Sequence, residues 1–185
     1  MDAEMIQLEA EERMQKAVEH VQERFRSIRT GRATPALVDG IKVEAYGDLQ
    51  PLKNVANIAI PEARQIVIKP FDASMLADIE RAIQKSELGI NPSNDGKVIR
   101  LEVPPLTEER RKQLVRQVKE MADEAKVSVN NVRRDANKQA DQAVKDGLPE
   151  DEGKRLQKEI DELKEKYIKD VESSFEKKSE EILAV

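Results

Sequence analysis

The chain has no cysteine and no tryptophan, one histidine, and only two tyrosines and three phenylalanines among 185 residues. The first absence excludes a disulfide framework, a thiolate nucleophile and any cysteine-ligated zinc or iron–sulfur centre. No apolar run approaches the ~20 residues a membrane helix needs. Met1-Asp2-Ala3-Glu4 lacks the basic-then-apolar layout of a secretory signal, and Glu9, Glu11 and Glu12 argue against an organellar transit peptide. These features predict a cytoplasmic protein without membrane contact. The lone His20 has Ala17 three residues before it, which is not the Glu-x-x-His pattern of di-iron bundles. It reads as a solvent-facing or boundary residue. Neither a Gly-x-Ser-x-Gly elbow nor a phosphate-cradling glycine loop occurs. The sequence predicts no enzyme, no cofactor and no metal.

Charge is what the chain has in quantity. Asp, Glu, Lys and Arg make up 37% of it, and its net charge is −5. Its long helices must therefore be amphipathic, although regular Leu, Ile, Val and Ala spacings still permit a core. The acidic total hides a gradient: residues 1–30 carry −2, 31–105 carry −1, 106–146 carry +2 and 147–185 carry −4. Only the third segment is basic. Because salt screens charges beyond ~8–10 Å, this local balance matters more than the total for docking on phosphates.

Met14, Val18, Val21, Phe25 and Ile28 recur at 4-3-4-3 spacing, predicting one long helix over the first thirty residues that stops at Thr30-Gly31. The period then changes. Ile41, Val43 and Ala45 alternate with Lys42, Glu44 and Tyr46 before a Gly47-Asp48 turn. Runs 55–60 and 65–69 are rich in β-branched residues, and Val98, Ile99, Leu101 and Val103 follow an Asn94-Asp95-Gly96 turn. Met75, Leu76, Ile79, Ala82 and Ile83 suit a short helix opened by Asp72 or Ser74 and closed near Gly89. Pro104-Pro105 ends the last strand, and Thr107 is placed to cap a second long helix seamed by Leu114, Val118, Met121, Ala125 and Val132. Gly147-Leu148-Pro149 breaks that helix. A third follows from Glu150, with Leu156, Ile160, Leu163, Tyr167, Val171, Phe175 and Ile182 apolar. The simplest burial is an α+β protein in which a three-helix bundle (1–30 with 106–185) is interrupted by an inserted β/α/β domain (31–105). The crossings near 30–32 and 104–106, with Thr30, Gly31, Pro104 and Pro105, would form a hinge.

Lys112, Lys119, Lys126 and Arg133 lie seven residues apart, so they drift only ~20° per step around a helix. Arg116 and Arg134 broaden the stripe. One reading is a solvated face laced with i,i+4 ion pairs, which Glu120 and Asp123 support. The other is a phosphate-binding face centred on Arg133-Arg134, which follows the neutral Asn130 and Asn131 and has the least neutralisation from nearby sequence. Arg29 and Arg32 flank Gly31. A helix C-terminus favours a cation and explains the first better than the second.

Four segments carry a resemblance. Ile28-Arg29-Thr30-Gly31-Arg32-Ala33-Thr34-Pro35, Leu88-Gly89-Ile90-Asn91-Pro92, Pro105-Leu106-Thr107-Glu108-Glu109-Arg110-Arg111 and Asn131-Val132-Arg133-Arg134 resemble bacterial ribosome recycling factors (ribosome-releasing factors) in order and spacing. The resemblance covers essentially the whole chain. It implies an L-shaped protein of tRNA-like dimensions that binds the post-termination ribosome. With elongation factor G, whose GTP hydrolysis supplies the energy, it splits the particle into subunits. It also implies that the basic helix lies on large-subunit rRNA across the A and P sites, with Arg133, Arg134, Arg29, Arg32 and Arg110 as contacts. Asn130 stands where family members often carry arginine, and an amide cannot release a counterion. The protein is expected to be a monomer. The competing readings are a coiled-coil interaction protein or holdase, which would self-associate through its seams, and a ligand-dependent enzyme, which its ligand would stabilise.

Overall fold

Asp2 opens the first helix by accepting a hydrogen bond from the Met5 amide at 2.8 Å, in a computed structural model that describes residues 2–184. Helix α1 (Ala3–Arg26) buries Ile6, Ala10, Met14, Val18, Val21 and Phe25. The seam thus begins two turns earlier than the sequence reading placed it. The helix also ends sooner: Ile28 is buried but lies outside it.

Helices α4 (Glu108–Lys145) and α5 (Glu150–Leu183) complete a bundle with α1. At ~1.5 Å per residue they rise about 57 and 51 Å. Helix α4 buries Leu114, Val118, Ala122, Ala125, Val129, Val132, Ala136 and Ala140. Four of these eight are alanines, which let the neighbouring helices approach closely. Helix α5 buries Leu156, Ile160, Tyr167, Val171 and Ile182. Met121, Leu163 and Phe175, expected on the seams, are only half-buried. Between α4 and α5, Gly147 takes φ +114, the Leu148 amide bonds the Ala143 carbonyl, and the Gly147 amide bonds that of Val144. This paired closure satisfies orphan carbonyls and needs a glycine at its left-handed position.

The remaining elements form a separate unit, Gly31–Thr107. Leu106 and Thr107 group with it, two residues past the expected boundary, and a side chain at Gly31 (φ +77) would meet Leu106 Cγ at 3.1 Å. Strands β1 (Lys42–Ala45) and β2 (Asp48–Pro51) make a hairpin, followed by a short helix α2 (Leu52–Val55). Ala45 pairs with Asp48, so the turn is Tyr46-Gly47, one residue before the expected position. Both turn residues have positive φ, 53° and 84°, as a two-residue hairpin of this hand requires.

A second, four-stranded antiparallel sheet has the order β3-β4-β6-β5, from β3 (Ala56–Glu62), β4 (Gln65–Pro70), β5 (Ser93–Asn94) and β6 (Ile99–Glu102). Pro61 is tolerated because β3 is an edge strand, and its pairing shifts register between Ala59 and Glu62. Helix α3 (Leu76–Lys85) follows a 3₁₀ turn, Ala73–Met75, capped by Asp72. Ile79 and Ile83 of α3 share one core with Ile66, Ile68, Ile99 and Leu101. The β3–β4 turn ties down both connecting segments: the Ala63 carbonyl accepts from the Ala33 amide at 2.7 Å and the Arg64 carbonyl from Val103 at 2.8 Å.

Candidate nucleic-acid interface

The lysine–arginine stripe of α4 does not stay on one face of the bundle. A seven-residue repeat turns ~20° per step, so three steps rotate it about 60°. Lys112 and Lys119 are exposed, whereas Lys126 and Arg133 are half-buried against α5. The pairing follows that rotation. Lys112 binds Glu108 of its own helix at 3.1 Å, but Lys126 binds Glu172 at 3.2 Å and Arg133 binds Asp161 at 2.7 Å, both on α5. The solvated-face reading is therefore correct for Lys112, and Arg133 is not the least neutralised position that the local sequence suggested.

The contact at Arg133 runs from Nε to Asp161 Oδ1. It uses one of five guanidinium donors and leaves both Nη groups, whose fork matches two phosphate oxygens. Arg134 is exposed, and its Nη2 donates to Asn131 Oδ1 at 3.0 Å. Asn130 is exposed beside them. This short segment can offer two guanidinium groups and two amides to a phosphodiester and its bases.

The other sequence candidates lie elsewhere. Ion pairs Arg13–Asp135 (3.1 Å) and Arg24–Glu124 (2.8 Å) set α1 antiparallel to α4. Glu124 is nine residues from Arg133, about 14 Å along the axis, and Arg29 lies past the end of α1, farther still. Arg110, which bonds Gln113 at 3.2 Å, is 23 residues from Arg133 on the same helix, about 35 Å away. Arg29 and Arg110 are both exposed and both engaged by neighbours. Arg32 is exposed and belongs to the other unit. Thr30 closes the bundle unit; Gly31, Pro104 and Pro105 lie in the connecting segments of the other. Arg29, Arg110, Arg133 and Arg134 are thus spread along the length of the bundle unit.

Sequence spacing missed Asp161 and Glu172, because partners 28 and 46 residues away leave no local signal. It also missed an apolar group in the α+β unit. Tyr46, Leu49 and Phe71 are 78%, 68% and 70% exposed, too much to serve the core. Tyr46 Oη donates to Asp72 Oδ2 at 3.1 Å, bringing the hairpin turn next to Phe71. Glu44, Asp48 and Asp72 accompany them together with Lys42 and Lys69, so these exposed apolar side chains have charges of both signs around them, which suits a protein surface. The signal was the Tyr-Gly at a turn that favours Asn-Gly.

Among the described residues no group of His, Asp or Glu has the arrangement of a metal site, and no helix is long and apolar enough to cross a membrane. His20 is exposed.

Comparison with known proteins yields one family. The model of the ribosome recycling factor family matches residues 21–183. The chain is similar to the ribosome-recycling factor of Symbiobacterium thermophilum, with 51% identity over 178 residues and 96% of each chain covered. It is also similar to that of Caldicellulosiruptor bescii, with 50% identity over 184 residues covering 99% of this chain and 100% of the other. A solution structure of a ribosome recycling factor is 43% identical with TM-score 0.78, covering 100% of this chain and 99% of that one. A T. thermophilus ribosome recycling factor, bound with E. coli elongation factor G to the E. coli post-termination complex, is 40% identical with TM-score 0.64 and full coverage of both chains.

Proposed function

The chain belongs to the ribosome recycling factor family, and from that premise we propose that it acts with elongation factor G and GTP on the post-termination ribosome. It separates the particle into subunits and frees them from mRNA for another round of translation. The observation that carries this reading is the match over nearly the whole chain, in sequence and in fold. The family consists of non-enzymatic translation factors. The nucleotide belongs to the partner, and this chain contributes a binding surface.

In this reading, α4 faces large-subunit rRNA through Arg133, Arg134 and Asn130, with Arg29, Arg32 and Arg110 as outlying contacts. The unpaired Nη fork of Arg133 and the exposure of Arg134 support it. The exposed Tyr46, Leu49 and Phe71 support a reading in which the α+β unit is the part that meets a protein. The connecting segments at 30–32 and 104–106 act as the hinge between them. The protein works as a monomer in the cytoplasm, where ribosomes are. The three apolar seams cover one another within the bundle, which supports a monomer over a self-associating scaffold.

Light scattering from post-termination ribosomes tests the whole reading. A fall in scattering that requires this protein, elongation factor G and GTP together is the expected result. No fall with a matched elongation factor and active ribosomes would overturn it. Arg133→Ala tests the contact: ribosome binding weakens, and the dependence of log K on log salt flattens by about one unit for the lost phosphate. An unchanged affinity and slope in the folded variant would remove Arg133 from the interface.

A further inference from the structure

We infer that Asp161 of α5 is a positioning residue for Arg133, holding its guanidinium so that the free Nη edge meets an RNA phosphate. The inference rests on the reading of α4 as the RNA-facing helix. Its geometric basis is the 2.7 Å bond from Arg133 Nε to Asp161 Oδ1. An arginine has four side-chain torsions, and fixing them on a phosphate costs rotamer entropy. A carboxylate that already holds Nε removes part of that cost before RNA arrives. The pair does not block the contact, because Nε and the outer Nη edge are different sides of one planar group.

The surroundings favour positioning over a purely structural role. Arg133 and Asp161 are 40% and 51% exposed, and such a pair adds little to fold stability. The packing of α4 on α5 is carried instead by residues such as Val129, Val132, Leu156 and Ile160, which are buried. The adjacent Lys126–Glu172 pair makes a useful contrast. An ammonium is a point charge with rotating donors, so holding it gives no directional fork. Asp161 also places a negative charge near the phosphate. At this exposure solvent screens that repulsion over the longer distance to the phosphate, whereas the 2.7 Å bond to Nε acts at contact.

The test is equilibrium binding of the full chain to salt-washed vacant 70S ribosomes. It compares Asp161→Ala, Asp161→Asn, Arg133→Ala and the Asp161→Ala/Arg133→Ala double variant, each checked for an unchanged melting temperature. Asp161→Ala should weaken binding about fivefold, within the range for groups coupled in one network. Asp161→Asn keeps an acceptor for Nε and should stay within about twofold of the native protein. In the Arg133→Ala background, Asp161→Ala should change nothing further. Tighter or unaltered binding by Asp161→Ala, or the same loss in both backgrounds, would overturn the inference while leaving Arg133 as an RNA contact. If Arg133→Ala itself binds like the native protein, the RNA-facing reading and the inference fall together.

Discussion

Asp72 and Asp95 each satisfy several donors with one carboxylate. Asp72 accepts from the Ser74 amide (2.9 Å) and hydroxyl (2.8 Å) and from Tyr46 (3.1 Å); Asp95 accepts from the Lys97 and Val98 amides, both at 2.9 Å. These hydrogen bonds, led by the Ser74 amide at Asp72 and the Val98 amide at Asp95, favour the ionised form and hold both carboxyls below their ordinary value of 3.8. The unfolded chain therefore takes up these protons first. The stability they lend is full above the ordinary carboxylate range and is lost as pH falls through 3.8 towards the lower folded values. Glu12 is lowered too, by the hydrogen bond from Lys16, but that exposed i,i+4 pair carries little weight. Because Asp72 and Asp95 both lie in the α+β unit, amide signals of that unit should lose dispersion at a higher pH than those of the bundle core in an NMR acid titration. Asp95→Asn, which still accepts hydrogen bonds, should reduce that pH dependence. Simultaneous loss in both units would contradict the assignment.

Where α4 gives way to α5, the two helices are held close by a glycine that is not at the turn. Gly153 is buried in the first turns of α5, and a Cβ there would collide with the Val144 side chain. Ordinarily Gly→Ala in a helix interior gains about 1 kcal/mol. Here the sign should reverse. Valine is branched and stiff, so relieving the clash means moving the helices apart, an overpacking cost of about 1–3 kcal/mol. Gly153→Ala should lower the midpoint of chemical unfolding, and Val144→Ala in the same chain should restore it. A stabilised single variant would show that this end of the bundle is loose.

The unit between the two crossings has a core of its own. The α+β unit collects seventeen buried apolar residues from Ala33 to Val103 into one cluster. Its ends meet, with Gly31 beside Leu106, so cutting it from the chain severs no strand pairing. A fragment spanning 31–107 should fold alone, giving dispersed amide signals and a cooperative melt; a collapsed, undispersed spectrum would refute this. Independent folding is also what the proposed hinge at the two crossings requires.

Local chemistry decided much from the sequence by itself. Most of the seams of α1, α4 and α5, the switch to period two after Gly31, a cap at either Asp72 or Ser74 and the α+β class follow from spacings along the chain, because helix and strand periods are properties of neighbouring residues. The lack of cysteine and of a phosphate loop was equally local, and four matched segments carried the family. Distant pairing was decided elsewhere. Whether Arg133 faces solvent or Asp161 depends on how far a heptad stripe winds around α4 and which turn of α5 lies beside it. No window of sequence contains both. The exposure of Tyr46 and Leu49 is likewise set by which face of the hairpin the core takes up, and Phe71 stays outside just past the end of β4. Periodicity fixed which residues could share a face, and the packing of one element on another fixed what that face would meet.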